Sequence, residues 1–301
     1  MLTPTHARLA RRGLLLTTAV AAAVTLAACG TSASGGMPGM DHGSTAASPS
    51  STGTPGMGDM PAGDGLAATG AGLTFAPSNR SLGAGKAQSF TFQIRGSGGT
   101  AFTTFVQDQT KLMHLYPIRS DLTGFQHIHP TMAADGTWTA PLGVLQPGSY
   151  RAYASFIAET MGGTQTPLVL SDTLTVAGDV ATTPLPAAAG STQVDGYTLT
   201  LGSGELMATM THTLTVAVSK GGAPVTDLQP YLDTYAHLTA IHAGDLAFAH
   251  LHPQGQVNGD HGGPTLTFEA MLPKAGNWRL FLQFQTAGSL HTAAITLTVG
   301  G

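Results

Sequence analysis

The sequence predicts an all-β protein made of two tandem antiparallel β-sandwich modules, and three observations carry that expectation. First, 40 Gly and 18 Pro punctuate runs of Thr, Val, Leu and Phe, which suits short strands and many turns. Second, those runs alternate with period two, as in SFTFQI (89–94) and TLTVAV (213–218). That is the spacing of a half-buried strand, and no segment shows the period of a long amphipathic helix. Third, the chain repeats itself. KLMHLYPI (111–118) matches TYAHLTAI (234–241), FQHIHP (125–130) matches FAHLHP (248–253), and PGSYRAYASF (147–156) matches AGNWRLFLQF (275–284). The offset is 123 residues at His114/His237 and His127/His250, 128 at Tyr150/Trp278, and 123 again at Val176/Val299. Insertions near Asn258–Gly263 and Glu159–Gly163, both Gly-bearing loops, account for the changes.

Residues 1–29 read as an export signal. Arg8, Arg11 and Arg12 precede the apolar stretch Gly13–Ala28, which is too short for a lasting transmembrane helix. Leu26-Ala27-Ala28-Cys29 resembles a bacterial lipobox. The resemblance implies lipidation at Cys29 and an extracytoplasmic protein held to the membrane of a bacterium by its lipid anchor.

Residues 30–70 are Gly, Ser, Thr, Ala and Pro with few large apolar side chains, the composition of a disordered tether. Within it lie Met37, Met40 and His42, then Met57 and Met60. Paired thioethers select soft Cu(I), so these five residues are candidate ligands.

The modules follow at 71–178 and 192–301, each of the size of an Ig-like sandwich. The hinge, 179–191, carries two prolines among small residues. Each module contains His-x12-His-x-His-Pro: His114, His127 and His129 in the first, His237, His250 and His252 in the second. Two His at i and i+2 on a strand share a face. A hairpin centred between Ser120 and Asp121 would set His114 opposite His127, and one centred between Ala243 and Gly244 would set His237 opposite His250. Three imidazoles then converge, a plausible shell for copper or zinc. Pro130 and Pro253 would end their strands. His291 lies near the start of the last strand, where the first module has Leu168, so the second module is expected to hold a four-His, stronger site.

Other candidates rank lower. Met113 neighbours His114 and faces away, and His242 and His261 fall in predicted loops. Met207, Met210 and His212 repeat the tether's spacing on a strand-like stretch, with Met207 as core filler. Tyr150 and Trp278 read as core aromatics, with Arg151 and Arg279 on the opposite face pairing with acids.

Composition removes several functions. A net charge of −4 gives no basic face for nucleic acid. A single Cys excludes thiolate zinc sites, iron–sulfur clusters and the Cys-ligated blue-copper centre. No Ser-His-Asp spacing, paired carboxylates or phosphate loop points to an enzyme.

With Tyr231-Leu232, Ala236-His237-Leu238, Phe248-Ala249-His250-Leu251-His252-Pro253 and Pro273-Lys274-Ala275-Gly276-Asn277-Trp278-Arg279, the mature chain resembles bacterial extracytoplasmic proteins that handle copper or other heavy metals in the envelope. That resemblance implies a β-sandwich binding module. The Phe-x-His-x-His strand also resembles the metal-binding strand of copper–zinc superoxide dismutases, but those need a disulfide that one Cys cannot supply. The sequence therefore leads to a lipid-anchored protein that sequesters or delivers copper, with zinc as the other metal and a second envelope metal-handling protein as partner. The rival reading is an envelope adhesion or scaffold lipoprotein with ligand-free sandwiches.

Overall fold

The computed structural model describes residues 63–160 and 162–301, and every regular element among them is a β-strand. The first module contains β1 (Thr69–Gly70), β2 (Leu73–Pro77), β3 (Ser81–Leu82), β4 (Gln88–Arg95), β5 (Phe105–Val106), β6 (His114–Arg119), β7 (Thr131–Met132), β8 (Thr137–Leu142), β9 (Gly148–Glu159) and β10 (Gln165–Val176). The second contains β11 (Ser191–Val194), β12 (Tyr197–Gly202), β13 (Thr211–Lys220), β14 (Ala223–Pro224), β15 (Ala236–His242), β16 (Phe248–Gln254), β17 (Thr265–Met271), β18 (Gly276–Thr286) and β19 (Ser289–Val299). Cys29, Met37, Met40, His42, Met57 and Met60 lie outside the described residues.

In the first module, a sheet β1-β2-β4-β8-β7 faces a sheet in which β3, β10, β9 and β5 follow in order and β6 also pairs with β9. Alternation sets what lies between them: Phe90, Phe92 and Ile94 of β4 all point inward. They meet Trp138, Ala154 and Phe156 in one apolar core. The second module folds one continuous sheet over itself, in the order β11-β12-β13-β17-β16-β15-β18-β19. Leu214, Val216 and Phe268 from one side pack with Leu238, Leu280 and Phe284 from the other. Tyr150 and Trp278 are fully buried, as expected. Each follows a glycine at strongly positive φ, Gly148 (144°) and Gly276 (120°). A Cβ there would also press on Arg119 Cδ at 3.0 Å or His242 Nε2 at 2.9 Å, so only Gly fits.

The His-x-His-Pro segment is where the chain changes sheets. In the second module, β16 pairs with β15 up to Leu251, then with β17 from His252 to Gln254. Pro253 therefore does not end the strand. It lies within it, paired with Phe268 at the sandwich corner. In the first module the same crossing is split. Ile128 bridges Leu115, and Thr131–Met132 then pairs with β8.

The hairpin register differs from the expected one by two residues in both modules. Leu115 bridges Ile128, and Leu238 pairs with Leu251, so His250 lies opposite Thr239 rather than His237. The turns sit further along, closed by Arg119 with Thr123 and His242 with Ala247. An even slip keeps every side chain on its face, so the histidines still share one.

The two modules pack against each other. Tyr116, Ile118, Tyr153 and Val169 from the first join Ile241, Phe248 and Phe281 from the second in a third apolar cluster. The Phe125 and Phe281 rings stack 4.2 Å apart and 4° from parallel, and Tyr153 lies 5.1 Å from Phe248. These two contacts are equivalents under the repeat, with Phe125 matching Phe248 and Tyr153 matching Phe281. Tyr116 lies beside Thr239, its own counterpart. Residue i meeting j while j's counterpart meets i's is the signature of an isologous, two-fold interface. Here it lies within one chain.

Residues 63–70 belong to this fold rather than to the tether. Phe248 N–H donates to Asp64 O at 2.8 Å, Ser171 hydroxyl donates to Gly65 O, and Leu66 packs on the second core. Leu185 of the inter-module segment packs on the shared cluster. Among the described residues, neither Arg151 nor Arg279 pairs with an acid. Arg151 Nη1 donates to Ser171 Oγ and Leu66 O, and Arg279 Nη1 donates to Thr296 Oγ1. Both hydroxyls lie on the strand paired beside each arginine within its own module, Ser171 on β10 and Thr296 on β19.

Candidate metal centre

His114, His127 and His129 come together so that one ring nitrogen from each lies within 4.8 Å of the others. Their ring centroids are 4.6–5.2 Å apart. His114 is fully buried and the other two are half-buried. His114 sits on β6, next to the core residue Met113, which faces away as expected. His127 and His129 flank Ile128 at the sheet crossing.

Hydrogen bonding fixes the protonation of two rings. His114 Nε2 lies 3.0 Å from the carbonyl of Asp108, an acceptor only, so Nε2 carries the proton. His127 Nδ1 lies 2.6 Å from Gln283 Oε1, on the second module, so Nδ1 carries the proton there. His114 Nδ1 and His127 Nε2 then present bare lone pairs, and they are 2.9 Å apart. His129 Nε2 stands 3.2 Å from the same His127 nitrogen. Facing lone pairs repel unless a proton or a cation lies between them. With metal–nitrogen bonds of about 2.0–2.1 Å, such separations give angles at the metal of roughly 90–100°. The donor set therefore fits a divalent ion of the copper–zinc class. A backbone carbonyl and a side-chain amide holding the outer nitrogens is how metal-binding imidazoles are oriented.

Burial keeps the rings neutral. It pushes His129 down to about 4, with help from neighbouring His114, and it lowers His114 and His127 as well. Neutral imidazole is the form that binds metal.

The Asp108 carbonyl is aimed by a two-residue turn. Asp108 and Lys111 exchange backbone hydrogen bonds, and Gln109 and Thr110 between them have φ of 46° and 69°. Tyr231 and Thr234 repeat this turn around Leu232 (55°) and Asp233 (59°), and the Tyr231 carbonyl accepts from His237 Nε2 at 3.2 Å. These are left-handed conformations held without glycine, at a cost of about 1 kcal/mol or more per residue. Neither Gln-Thr nor Leu-Asp signals such a turn in sequence. Gln283, likewise, carried no sequence mark.

The second module is more open. His237 lies 6.3 Å from His250 between ring centres, and His250 lies 5.4 Å from His252. It borders the first trio, with His237 5.7 Å from His127. The two trios thus adjoin as one cluster between modules.

The expected four-His site does not form. His291 pairs with Phe284 on β18, whereas His237 pairs with Gln283, so the two histidines occupy opposite faces of the sheet. His291 packs on Tyr197 and Phe284, with its nitrogens on Asp195 Oδ2 and Thr286 Oγ1. Its counterpart Leu168 is likewise core. The closed trio is the first module's, His114, His127 and His129. Met210 is exposed in the turn before β13, not on a strand. Met207 is half-buried there, its N–H donating to His212 Nε2 at 2.9 Å. His242 is held by Asp245 and Ala275 O, and His261 is exposed in the 255–264 loop.

Replacing Gln283 with Leu removes the acceptor for His127 Nδ1 with little change of volume. Zinc affinity, read by competition with a chromogenic chelator, is expected to fall 10- to 100-fold. An unchanged affinity would mean that His127 is not a ligand.

A family model described as a domain of unknown function (DUF8832) matches residues 68–167 and again residues 192–301. No curated protein matches the chain. Among solved structures, the chain is similar to FdeC, an Escherichia coli adhesin, at 17% identity over 76% of this chain and 64% of that one, with a TM-score of 0.25. It is similar to the Ig1-2 module of the Drosophila receptor tyrosine phosphatase DLAR, at 13% identity, 76% and 98% coverage and a TM-score of 0.20. It is also similar to Escherichia coli alpha-2-macroglobulin, at 13% identity, 77% and 24% coverage and a TM-score of 0.23.

Proposed function

As the chain belongs to the DUF8832 family, in two copies, we propose that the family fold serves here to hold a metal ion, and that the protein is an extracytoplasmic copper-binding lipoprotein for sequestration or delivery. One observation carries the metal reading: three imidazole nitrogens converge, two of them with their lone pairs turned inward by fixed outer hydrogen bonds. Copper is favoured by the all-imidazole donors, which suit Cu(II) and Zn, together with Met37, Met40, Met57 and Met60, which suit Cu(I). The envelope location rests on the lipobox-like run ending in Cys29.

The test is thermal. A ligand that binds only the folded protein adds about 2.7 kcal/mol at 100 times its dissociation constant. For a unit of this size that raises Tm by roughly 5–10 °C. Cu(II) or Zn(II) at pH 7.5 is expected to give such a rise in the parent and to lose most of it in His127→Ala and His129→Ala, while His291→Ala responds like the parent. If no metal moves Tm, the histidines are packing groups and the scaffold reading takes first place. Separately, Cys29→Ala is expected to move the protein from a carbonate-washed membrane fraction to the soluble fraction. Retention in the membrane would rule out the lipid anchor.

A further inference from the structure

We infer that the second module's trio, His237, His250 and His252, holds a second metal ion beside the first, so that the inter-module cluster is a two-ion centre. The inference rests on the reading of the first trio as a metal site and extends it.

Two buried nitrogens carry it. His237 Nδ1 and His250 Nε2 have no hydrogen-bond partner, and their residues are 2% and 4% exposed. A buried polar atom left unpaired loses its hydration with nothing in return, and two in one place call for a ligand. These are the repeat equivalents of His114 Nδ1 and His127 Nε2, the two atoms whose lone pairs meet in the first module. The equivalence extends outward. His237 Nε2 is held by the Tyr231 carbonyl as His114 Nε2 is held by that of Asp108, at the same position of the same turn. The His237 proton is therefore on Nε2, and its orphaned Nδ1 has the lone pair.

Taken in pairs, the rings are close enough to share an ion, although only the first trio brings one nitrogen from each of its three rings within 4.8 Å of the others. An imidazole centre sits about 3.2 Å from a metal bound at about 2.0–2.1 Å, so two rings on one ion have centres up to about 6.4 Å apart. His237 and His250 are 6.3 Å apart, and His250 and His252 are 5.4 Å apart. The wider trio therefore holds four-coordinate Zn(II) only after a small inward shift of its rings. The two positions adjoin, because the interface is two-fold in character and His237 lies 5.7 Å from His127 across it. The two modules would then bind ions as one body: opening the apolar interface would expose both.

Zn(II) is the probe, since thioethers of the Met-bearing stretch compete poorly for it. The full chain, lipid-free as Cys29→Ala, is crystallised with Zn(II), and anomalous difference maps at the zinc edge locate ions without any ligand variant. Two peaks, one at each trio, are expected. In solution, His250→Ala is expected to lower the zinc count by one and leave the ion at His114, His127 and His129 in place. One peak at the first trio, with a count unaffected by His250→Ala, would overturn the second ion and leave the first reading standing. One peak between the trios, lost in both His129→Ala and His250→Ala, would replace two ions with one shared ion. No peak at either trio would overturn both readings.

Discussion

Metal-free protein is expected to lose stability steeply as pH falls from 6.5 towards 4. Burial, reinforced by neighbouring histidines, takes His129 down to about 4 and His237 to about 3. It also lowers His114, and it takes His127 and His250 well below the ordinary imidazole value. In the unfolded chain all five return to about 6.5. Between those values the unfolded state binds more protons than the folded one, so stability rises with pH there and is lost as pH drops. At pH 5 His237 alone contributes a loss on the order of 1–2 kcal/mol, and the other four rings add in the same direction. Urea midpoints at pH 7.5, 6, 5 and 4.5 measure this. A double variant, His127→Phe/His250→Phe, is expected to flatten the slope. Equal midpoints at pH 7.5 and 5 in the parent would show that the rings are solvated and the cluster is not closed.

Phe281→Ala is expected to destabilise the protein by about 3–5 kcal/mol, the range for a buried Phe cut to Ala. The ring is 4% exposed and stacks on Phe125 of the other module. Its removal opens a cavity at the inter-module cluster rather than in either sandwich core. Phe248→Ala, at the two-fold related contact, should cost a similar amount. Val180→Ala, at a side chain 57% exposed, should stay within about 0.5 kcal/mol. Urea unfolding of the parent is expected as one transition, and Phe281→Ala should split it as the modules lose their shared cluster. A Phe281→Ala variant as stable as Val180→Ala would mean that the modules do not pack on this face.

Much of the fold was legible because strand parity and repeats are local signals. Alternation in SFTFQI put Phe90, Phe92 and Ile94 inside, and matching aromatics after a glycine located Tyr150 and Trp278. The candidate site was legible in part. His114, His127 and His129 were found from spacing alone, even though the hairpin register was two residues off, because an even slip preserves the face. The supporting groups were not legible. Gln283 meets His127 across a module boundary, and the turns at Gln109-Thr110 and Leu232-Asp233 adopt left-handed backbone without a glycine to mark them.

The sequence by itself determined the all-β class, the duplication and the sharing of one face by the three histidines of each copy. Each follows from a period of two or an offset of 123, which neighbours along the chain enforce. Only the tertiary structure decided which face becomes an interior. In β18, Gln283 and Phe284 are adjacent in sequence yet serve opposite surfaces: one supports His127 in the cluster between modules, the other packs His291 inside the second sandwich. Composition cannot separate those surfaces, because both are apolar and both are buried. The difference arises when two sheets, each already covered on one side, bury the other sides against each other. That packing removed His291 from the site and brought six histidines of two modules into one cluster.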